Sequence, residues 1–181
     1  MRQLSLNILD LAVNSIEAGA TRIIIAVDER ENILSIRVRD NGRGMSEEMA
    51  RTVLDPFVTT RKTRKVGLGL PLLAQIARQC DGRIDIDSEP GRGTQIKAEF
   101  RHDHLNRPPL GRVSDTVINL IVANPGVHLY YHHRTASGQL GFDSYWMLAR
   151  MAERDCSLFE LVEPGRAELR RGLAQIHASA D

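Results

Sequence analysis

Polar side chains recur along one face of the first predicted helix at a spacing suited to ion binding. Asn7, Asp10, Asn14 and Glu17 follow one another at steps of three, four and three residues, so they share one face of an α-helix. Asn and Asp are poor residues for the middle of a helix. A carboxylate and a carboxamide one turn apart can hold a hard cation and orient a nucleophile. Taken alone, the stripe is also compatible with a solvated helix face.

Two glycine-rich turns follow this helix. Residues 40–44, Asp-Asn-Gly-Arg-Gly, come after an alternating strand predicted over 33–39. The glycines permit a tight turn beside a ligand, and Asp40 offers a carboxylate acceptor. Residues 67–70, Gly-Leu-Gly-Leu, lead into a helix predicted over 71–80. A glycine loop at a helix N-terminus presents backbone amides to an anion.

These segments stand in the order of the nucleotide-binding motifs of one superfamily. Residues 14–20, 40–45, 56–70 and 89–94 resemble the motifs of the ATPases that include gyrase, heat-shock chaperones, histidine kinases and mismatch-repair proteins, often called GHKL. The resemblance covers about residues 4–101, and its later motifs are most similar to the histidine-kinase branch. It implies an α/β two-layer sandwich, in which helices cover one face of a mixed β-sheet, with the Bergerat-type ATP-binding fold.

The resemblance also implies roles for single residues. Asn14 matches the magnesium ligand, and Asp10 matches a general base or a group that orients the attacking nucleophile, where many relatives have Glu. Asp40 matches the carboxylate that accepts a hydrogen bond from the adenine amino group, which favours ATP over GTP. The implied cofactors are ATP and Mg²⁺. The other positions implied to bind the nucleotide are Gly42, Gly44, Lys62, Arg64, Gly67, Leu68, Gly69, Leu70 and Thr94.

A short basic segment between residues 57 and 67 is interpreted as a lid. Closure over ATP would bring Lys62 or Arg64 to the phosphates. The alternative is an exposed loop whose charges only keep it solvated. Its four basic residues are Arg61, Lys62, Arg64 and Lys65.

Composition sets the limits within which these motifs act. The chain of 181 residues is 42% hydrophobic and 26% charged, which is typical of globular proteins. Its net charge of +1 gives no case for nucleic acid or an acidic membrane surface as a partner. No apolar run is long enough to span a membrane and no signal peptide is evident, so we expect a cytoplasmic protein. Cys80 and Cys156 are expected to be free thiols.

A proline-containing linker over 104–111 predicts a division into two units. The first, residues 1–104, is the histidine-kinase-like ATP-binding domain, and the second, residues 112–181, is a small α/β unit. Tyr145 and Trp146 are expected to pack in its core. Its predicted elements are helices over 113–123, 144–153 and 163–177 and strands over 127–134 and 139–142. Structural or surface roles are expected, in preference to a metal cluster, for His102, His104, His128, His132 and His133.

Three classes of function fit the motifs. The first is a kinase that phosphorylates a His, Ser or Thr of a separate partner protein, and the second is an ATP-dependent switch that hydrolyses slowly. The third is a non-catalytic scaffold, against which Asp10 and Asn14 argue. Only three residues precede the first helix, so the acceptor hairpin of a sensor histidine kinase is not expected. The C-terminal unit resembles stand-alone bacterial ATP-binding proteins encoded beside iron–iron hydrogenase subunits. A homodimer is left open.

Overall fold

The computed structural model describes residues 3–55 and 69–181, which form a mixed β-sheet with helices on one face. The helices are α1 (Leu4–Glu17), α2 (Glu47–Thr52), α3 (Gly69–Gln79), α4 (Val113–Ala123), α5 (Ser144–Arg154) and α6 (Val162–Gln175), with a 3₁₀ turn at Phe159–Leu161. The strands are β1 (Arg22–Arg30), β2 (Ile33–Asp40), β3 (Arg83–Glu89), β4 (Gly93–Arg101), β5 (His128–Thr135) and β6 (Gly138–Asp143).

The six strands lie in the order β3-β4-β2-β1-β5-β6. The pair β1–β5 is parallel, and the other neighbouring pairs are antiparallel. The predicted α/β sandwich with a mixed sheet is confirmed. No range had been predicted for β1 or α2. Because β5 pairs with β1, the strands of the C-terminal residues 112–181 extend the sheet of the N-terminal part.

Side chains alternate between the two faces of the sheet, as the pleat of a strand requires. In β1, Ile23, Ile25 and Val27 are fully buried on the face that the helices cover. Arg22 and Ile24, which point to the other face, are exposed and half-buried. Burial of each large aliphatic side chain contributes about 1.5–3 kcal/mol, so the covered face supplies most of the driving force for folding. We call the other side the uncovered face.

Helix α1 is held at its N-terminus by the proline-containing linker. It has no side-chain cap, and its first backbone N–H groups would otherwise lack partners. The N–H groups of Leu4 and Ser5 instead donate to the carbonyl oxygens of Pro109 and Leu110, at 3.0 and 2.8 Å. The linker therefore fixes the start of the helix that carries the polar stripe.

The C-terminal helices pack on the same side of the sheet as α1. A methyl group placed at Gly165 of α6 would lie 3.1 Å from Ile118 of α4 and 3.3 Å from Met147 of α5, so the three helices meet there. Trp146 packs against Phe142, with ring centroids 5.5 Å apart. The prediction of a core position for Tyr145 was wrong, because this side chain is 57% exposed and stacks on His128. Within residues 3–55 and 69–181, no helix is long and apolar enough to cross a membrane.

A buried carboxylate joins the end of β1 to β5, to the residue after β4 and to the C-terminal residues. Glu29 has a side chain only 5% exposed, and it bonds to ring nitrogens of His133 at 2.7 Å and His102 at 3.0 Å. The backbone N–H of Ser179 donates to the same carboxylate at 2.9 Å. We call these four residues the Glu29 network.

Hydrogen bonding lowers the pKa of Glu29. Burial acts first and raises the pKa, but the bonds from His133, Ser179 and His102 outweigh it and hold the pKa at about 2. Two of the predicted structural histidines therefore have a structural partner. In the described part of the chain, no group of three or more His, Cys, Asp or Glu side chains could hold a metal ion. Both cysteines, Cys80 and Cys156, are free.

Candidate nucleotide-binding site

The carboxylate of Asp40, at the end of β2, is held by donors from three parts of the chain. Its Oδ1 accepts from the backbone N–H of Gly42 at 2.8 Å and of Thr94 at 3.2 Å. Its Oδ2 accepts from the hydroxyl of Ser15 in α1 at 2.7 Å. Asp40 is 9% exposed, so helix, turn and strand together fix a nearly buried acceptor.

Glycines allow the backbone to pack closely around Asp40. Gly44 has φ +68°, and a methyl group there would lie 2.0 Å from the carbonyl oxygen of Glu89. Gly93 has φ +97°, and a methyl group there would lie 2.0 Å from the carbonyl oxygen of Asp40. Both positions therefore require glycine on two grounds, the left-handed backbone and the lack of space. At Gly42, a methyl group would lie 2.9 Å from the carbonyl oxygen of Ala18.

Side chains tie the turn after β2 to the end of α1. The side-chain oxygen of Asn41 accepts from the N–H groups of Thr21 and Arg22 at 3.0 and 2.8 Å. The backbone N–H of Arg43 donates to the carbonyl oxygen of Ala18 at 2.9 Å. The turn is thus fixed relative to the helix, which keeps Ser15 and Asp40 in hydrogen-bonding distance.

Thr94 lies at the start of β4, with its side chain beside the β3 strand. Its hydroxyl is 2.9 Å from that of Ser88, and Ser88 also accepts from the N–H of Met45 at 2.9 Å. Because the N–H of Thr94 also donates to Asp40, this pair of hydroxyls lies next to the Asp40 carboxylate. Thr94 was predicted from the sequence, whereas Ser88 was not.

The polar stripe of α1 has the predicted orientation. Asp10 and Glu17 are exposed, and Asn7 and Asn14 are partly buried, while the opposite face of the helix lies in the core. Asp10 also lies beside the start of α3. A methyl group at Gly69 would be 3.4 Å from the Asp10 Oδ2 atom, so the structure brings together a predicted catalytic carboxylate and a predicted phosphate-loop glycine.

The structure describes most of the predicted site residues, but four of them lie outside the described ranges. Asp10, Asn14, Asp40, Gly42, Gly44, Gly69 and Thr94 line the α1 face and the turns around Asp40. The side chain of Leu70 is buried in the core, 8% exposed, so only its backbone could contact a ligand. Lys62, Arg64, Gly67 and Leu68 lie outside the described residues. Ser15, which donates to Asp40, and Asn41, which holds the turn after β2, were not predicted as site residues, and neither was Gly93. The signal for Ser15 is a hydroxyl on the apolar stripe of α1.

The N-terminal part of the chain shows the family to which the protein belongs. Residues 1–104 match the family model of histidine kinase-, DNA gyrase B- and HSP90-like ATPases. Since this match covers more than half of the 181 residues, the chain belongs to that family, and its ATP-binding function follows from the membership.

Several curated sensor kinases are similar to the same half of the chain. The chain is 34% identical to sporulation kinase A of Bacillus subtilis over 100 residues, which are 55% of this chain and 16% of that kinase. It is 33% identical to the tetrathionate sensor histidine kinase TtrS of Salmonella typhimurium, over 54% of this chain and 17% of the kinase. The chain therefore matches only about a sixth of the length of these relatives.

A solved structure supports the fold alone. The N-terminal domain of a DNA repair protein superposes with a TM-score of 0.50 at 15% sequence identity. The superposition covers 79% of this chain and 52% of that chain. The likeness therefore extends beyond residues 1–104 and includes part of the C-terminal half.

Proposed function

We propose that this protein binds ATP with Mg²⁺ and transfers the γ-phosphate to a separate partner protein. The observation that carries the proposal is the meeting of Asp10 on α1 with Gly69 at the start of α3. A carboxylate there lies beside the backbone amides that bind phosphate at a helix N-terminus. Asp10 then takes the role of accepting a proton from, or orienting, the nucleophile that attacks the γ-phosphate.

Adenine recognition is assigned to the remaining acceptor position of Asp40. A carboxylate has about four lone-pair sites, and Gly42 and Thr94 occupy Oδ1 while Ser15 occupies only one site on Oδ2. The free site on Oδ2 can accept from the amino group of adenine. Guanine presents an oxygen in that place, which would face the carboxylate without a donor.

The first prediction concerns this selectivity. The protein should bind ATP more tightly than GTP, and Asp40→Asn should weaken ATP binding by about 1–3 kcal/mol. The N–H groups of Gly42 and Thr94 would hold the amide oxygen in the place of Oδ1, which turns the amide NH₂ toward the adenine amino group. Calorimetric titration of both nucleotides measures the effect. Asp87→Asn, the same change at an exposed position of β3, is the control, and equal affinity for GTP and ATP would refute the assignment.

The side chains present suit a magnesium ion beside the phosphates. Asn14 lies one turn after Asp10 on the same face of α1, and its carboxamide oxygen is a ligand that Mg²⁺ accepts. When bound, the ion neutralises charge on the phosphates during transfer. We further propose that Lys62 and Arg64 contact the phosphates and that the amides of Gly67 and Leu68 complete the phosphate loop.

The alternative function is an ATP-dependent switch that hydrolyses ATP slowly while it holds a partner. Both functions use the same residues, so the fate of the phosphate decides between them. Incubation of the protein with γ-labelled ATP and candidate partners, first of all hydrogenase-related subunits, should transfer label to one of them. Release of all label as inorganic phosphate in the presence of a bound partner would favour the switch. We propose a cytoplasmic site of action for either function.

The second prediction is that the protein does not phosphorylate its own histidines. In-line transfer requires an acceptor close to the γ-phosphate. His102 and His133 are hydrogen-bonded to Glu29. Glu29 lies six residues along β1 from Ile23, the residue that pairs with Asp40. The two histidines are therefore about 20 Å from the Asp40 end of the sheet. His128 points to the uncovered face, where it bonds to Asp143 at 2.9 Å. Labelled ATP with the purified protein should give no stoichiometric acid-labile label, and such label would make it a true histidine kinase.

A further inference from the structure

The uncovered face of the sheet carries three exposed arginines in adjoining positions. Arg37 and Arg39 lie two residues apart on β2 and are both exposed, so their side chains leave the same face about 7 Å apart. Arg22 of β1 is also exposed and lies opposite Asn41, whose N–H donates to its carbonyl oxygen at 3.3 Å. This register places Arg22 diagonal to Arg39, roughly 7–8 Å away. We call Arg22, Arg37 and Arg39 the arginine surface.

The arginine surface lacks counter-charges of its own. Within residues 3–55 and 69–181, none of its three arginines forms a salt bridge. Asp87, on the edge strand β3, is separated from Arg39 by Gln95 of β4, a distance of about 10 Å. The other nearby carboxylates form the pairs Asp28–Arg30, Asp85–Arg83 and Glu99–Lys97.

A cavity of about 450 Å³ opens at one end of the arginine surface. Arg22 and Asn41 line one side, and His128 and Tyr145 line the other. The Tyr145 ring stacks on His128 with a centroid distance of 4.1 Å and is 57% exposed. An exposed tyrosine beside an unpaired arginine is the combination that anchors many protein interfaces.

Half-buried apolar side chains continue this surface across the sheet. Ile24 lies between Arg39 on one neighbouring strand and Tyr130 on the other, and both Ile24 and Tyr130 are half-buried. A ligand here would therefore contact both charge and apolar area. The combination fits a polypeptide segment with acidic and apolar side chains.

We propose that the arginine surface and the adjoining cavity bind an acidic, extended segment of the partner protein. The three guanidinium groups span about 15 Å, the length of four or five extended residues. The half-buried Ile24 and Tyr130 offer apolar contacts to the side chains of a polypeptide, whereas the charge of a nucleic-acid backbone is continuous. That this segment belongs to the protein that receives the phosphate rests on the proposed function.

An acidic peptide tests the surface directly. The probe is a fluorescein-labelled peptide of eight residues, four glutamates and four valines, titrated with the full chain at low salt, and single-stranded oligo-dT of equal length is the comparison. Arg39→Glu should weaken peptide binding by roughly tenfold, and Arg37→Glu provides a second variant should the first fail to fold. Arg171→Glu, an equal charge change at an exposed position of α6, should leave binding unchanged.

The proposal is overturned if the wild type does not bind the peptide or if Arg171→Glu weakens binding as much as Arg39→Glu. Preference for oligo-dT, lost in Arg39→Glu, would also overturn it in favour of a nucleic-acid surface. ATP affinity should be unchanged in Arg39→Glu, because the arginines lie on the face opposite α1. A partner phosphorylated with the same KM by Arg39→Glu would refute the docking surface and leave the kinase function intact. Peptide binding that depends on Arg39, without phosphotransfer to any partner, would support the docking surface and refute the kinase function.

Discussion

Replacement of Asp10 by asparagine should slow ATP hydrolysis or phosphotransfer by about 10²-fold or more. Asparagine keeps the size of the side chain but cannot accept a proton or carry the negative charge that orients a nucleophile. Nucleotide affinity should change little, because adenine recognition is assigned to Asp40 on another element. Single-turnover rates with labelled ATP, measured beside calorimetric affinities, separate the two effects.

Matched variants sharpen the test of Asp10. Asp87→Asn removes an exposed carboxylate from the opposite face of the sheet and should leave the rate unchanged. Asp10→Glu restores a carboxylate with one more methylene and should recover most of the activity lost in Asp10→Asn. If Asp10→Asn turns over ATP at the wild-type rate, Asp10 is not the activating group, and its place beside Gly69 is structural.

Helices with a clear apolar period could be predicted closely from the sequence. Helix α4 spans the predicted residues 113–123, because its side chains repeat every three or four residues and a turn follows at Asn124. Strand β1 was harder, since the signal for its hairpin is weak. The turn to β2 uses Glu31 and Asn32, which both have positive φ, 56° and 59°. Type I′ turns usually contain glycine at such positions, so the sequence lacks the usual marker.

The parts of the site carried by local motifs could be predicted, and those set by tertiary register could not. Asp40, Gly42 and Gly44 stand in one turn that is recognisable in the sequence. Ser15 contributes only because α1 crosses the end of β2 with that hydroxyl facing Asp40. Gly93 contributes because β4 pairs with β2 in a register that brings its α-carbon against the Asp40 carbonyl. Neither the crossing nor the register can be derived from local sequence.

The position of the C-terminal strands also depends on non-local pairing. Strands β5 and β6 were predicted from their alternation and from the turn at 135–138, but no local feature specifies the strand beside which β5 lies. The structure places β5 parallel to β1. Strand β4 runs in the same direction as β1, and the connection from β4 through α4 is long enough to start β5 in that direction again. This pairing brings His133 beside the end of β1 and so creates the Glu29 network.

The Glu29 network leads to the second large prediction, which concerns folding. Glu29→Gln should lower the free energy of unfolding by about 2–3 kcal/mol at neutral pH. The glutamine NH₂ group would face ring N–H groups or the N–H of Ser179, where the carboxylate now accepts. Urea denaturation measures the change. Glu31→Gln, an exposed neutralisation two residues away, should cost little.

The same carboxylate should make stability depend on pH in the acid range. The pKa of Glu29 is lowered from 4.5 to about 2 in the folded protein, so the folded state binds the proton less readily than the unfolded state. The stabilisation is then fully present above pH 4.5 and is lost as the pH falls toward 2. We expect a contribution of roughly 2 kcal/mol, smaller than the full shift implies, because water near the end of the sheet screens the charges.

The pH dependence separates this explanation from a simple packing defect. The stability difference between the wild type and Glu29→Gln should shrink as the pH falls from 4.5 toward about 2, because the Glu29 carboxylate takes up its proton in the unfolded state before it does so in the folded state. A cavity or steric clash in the variant would instead give a difference independent of pH. ATP affinity should be the same in both proteins, since Glu29 lies at the end of β1 opposite to Ile23 and Asp40. A constant difference across this range would show that the carboxylate charge does not hold the C-terminus to the sheet.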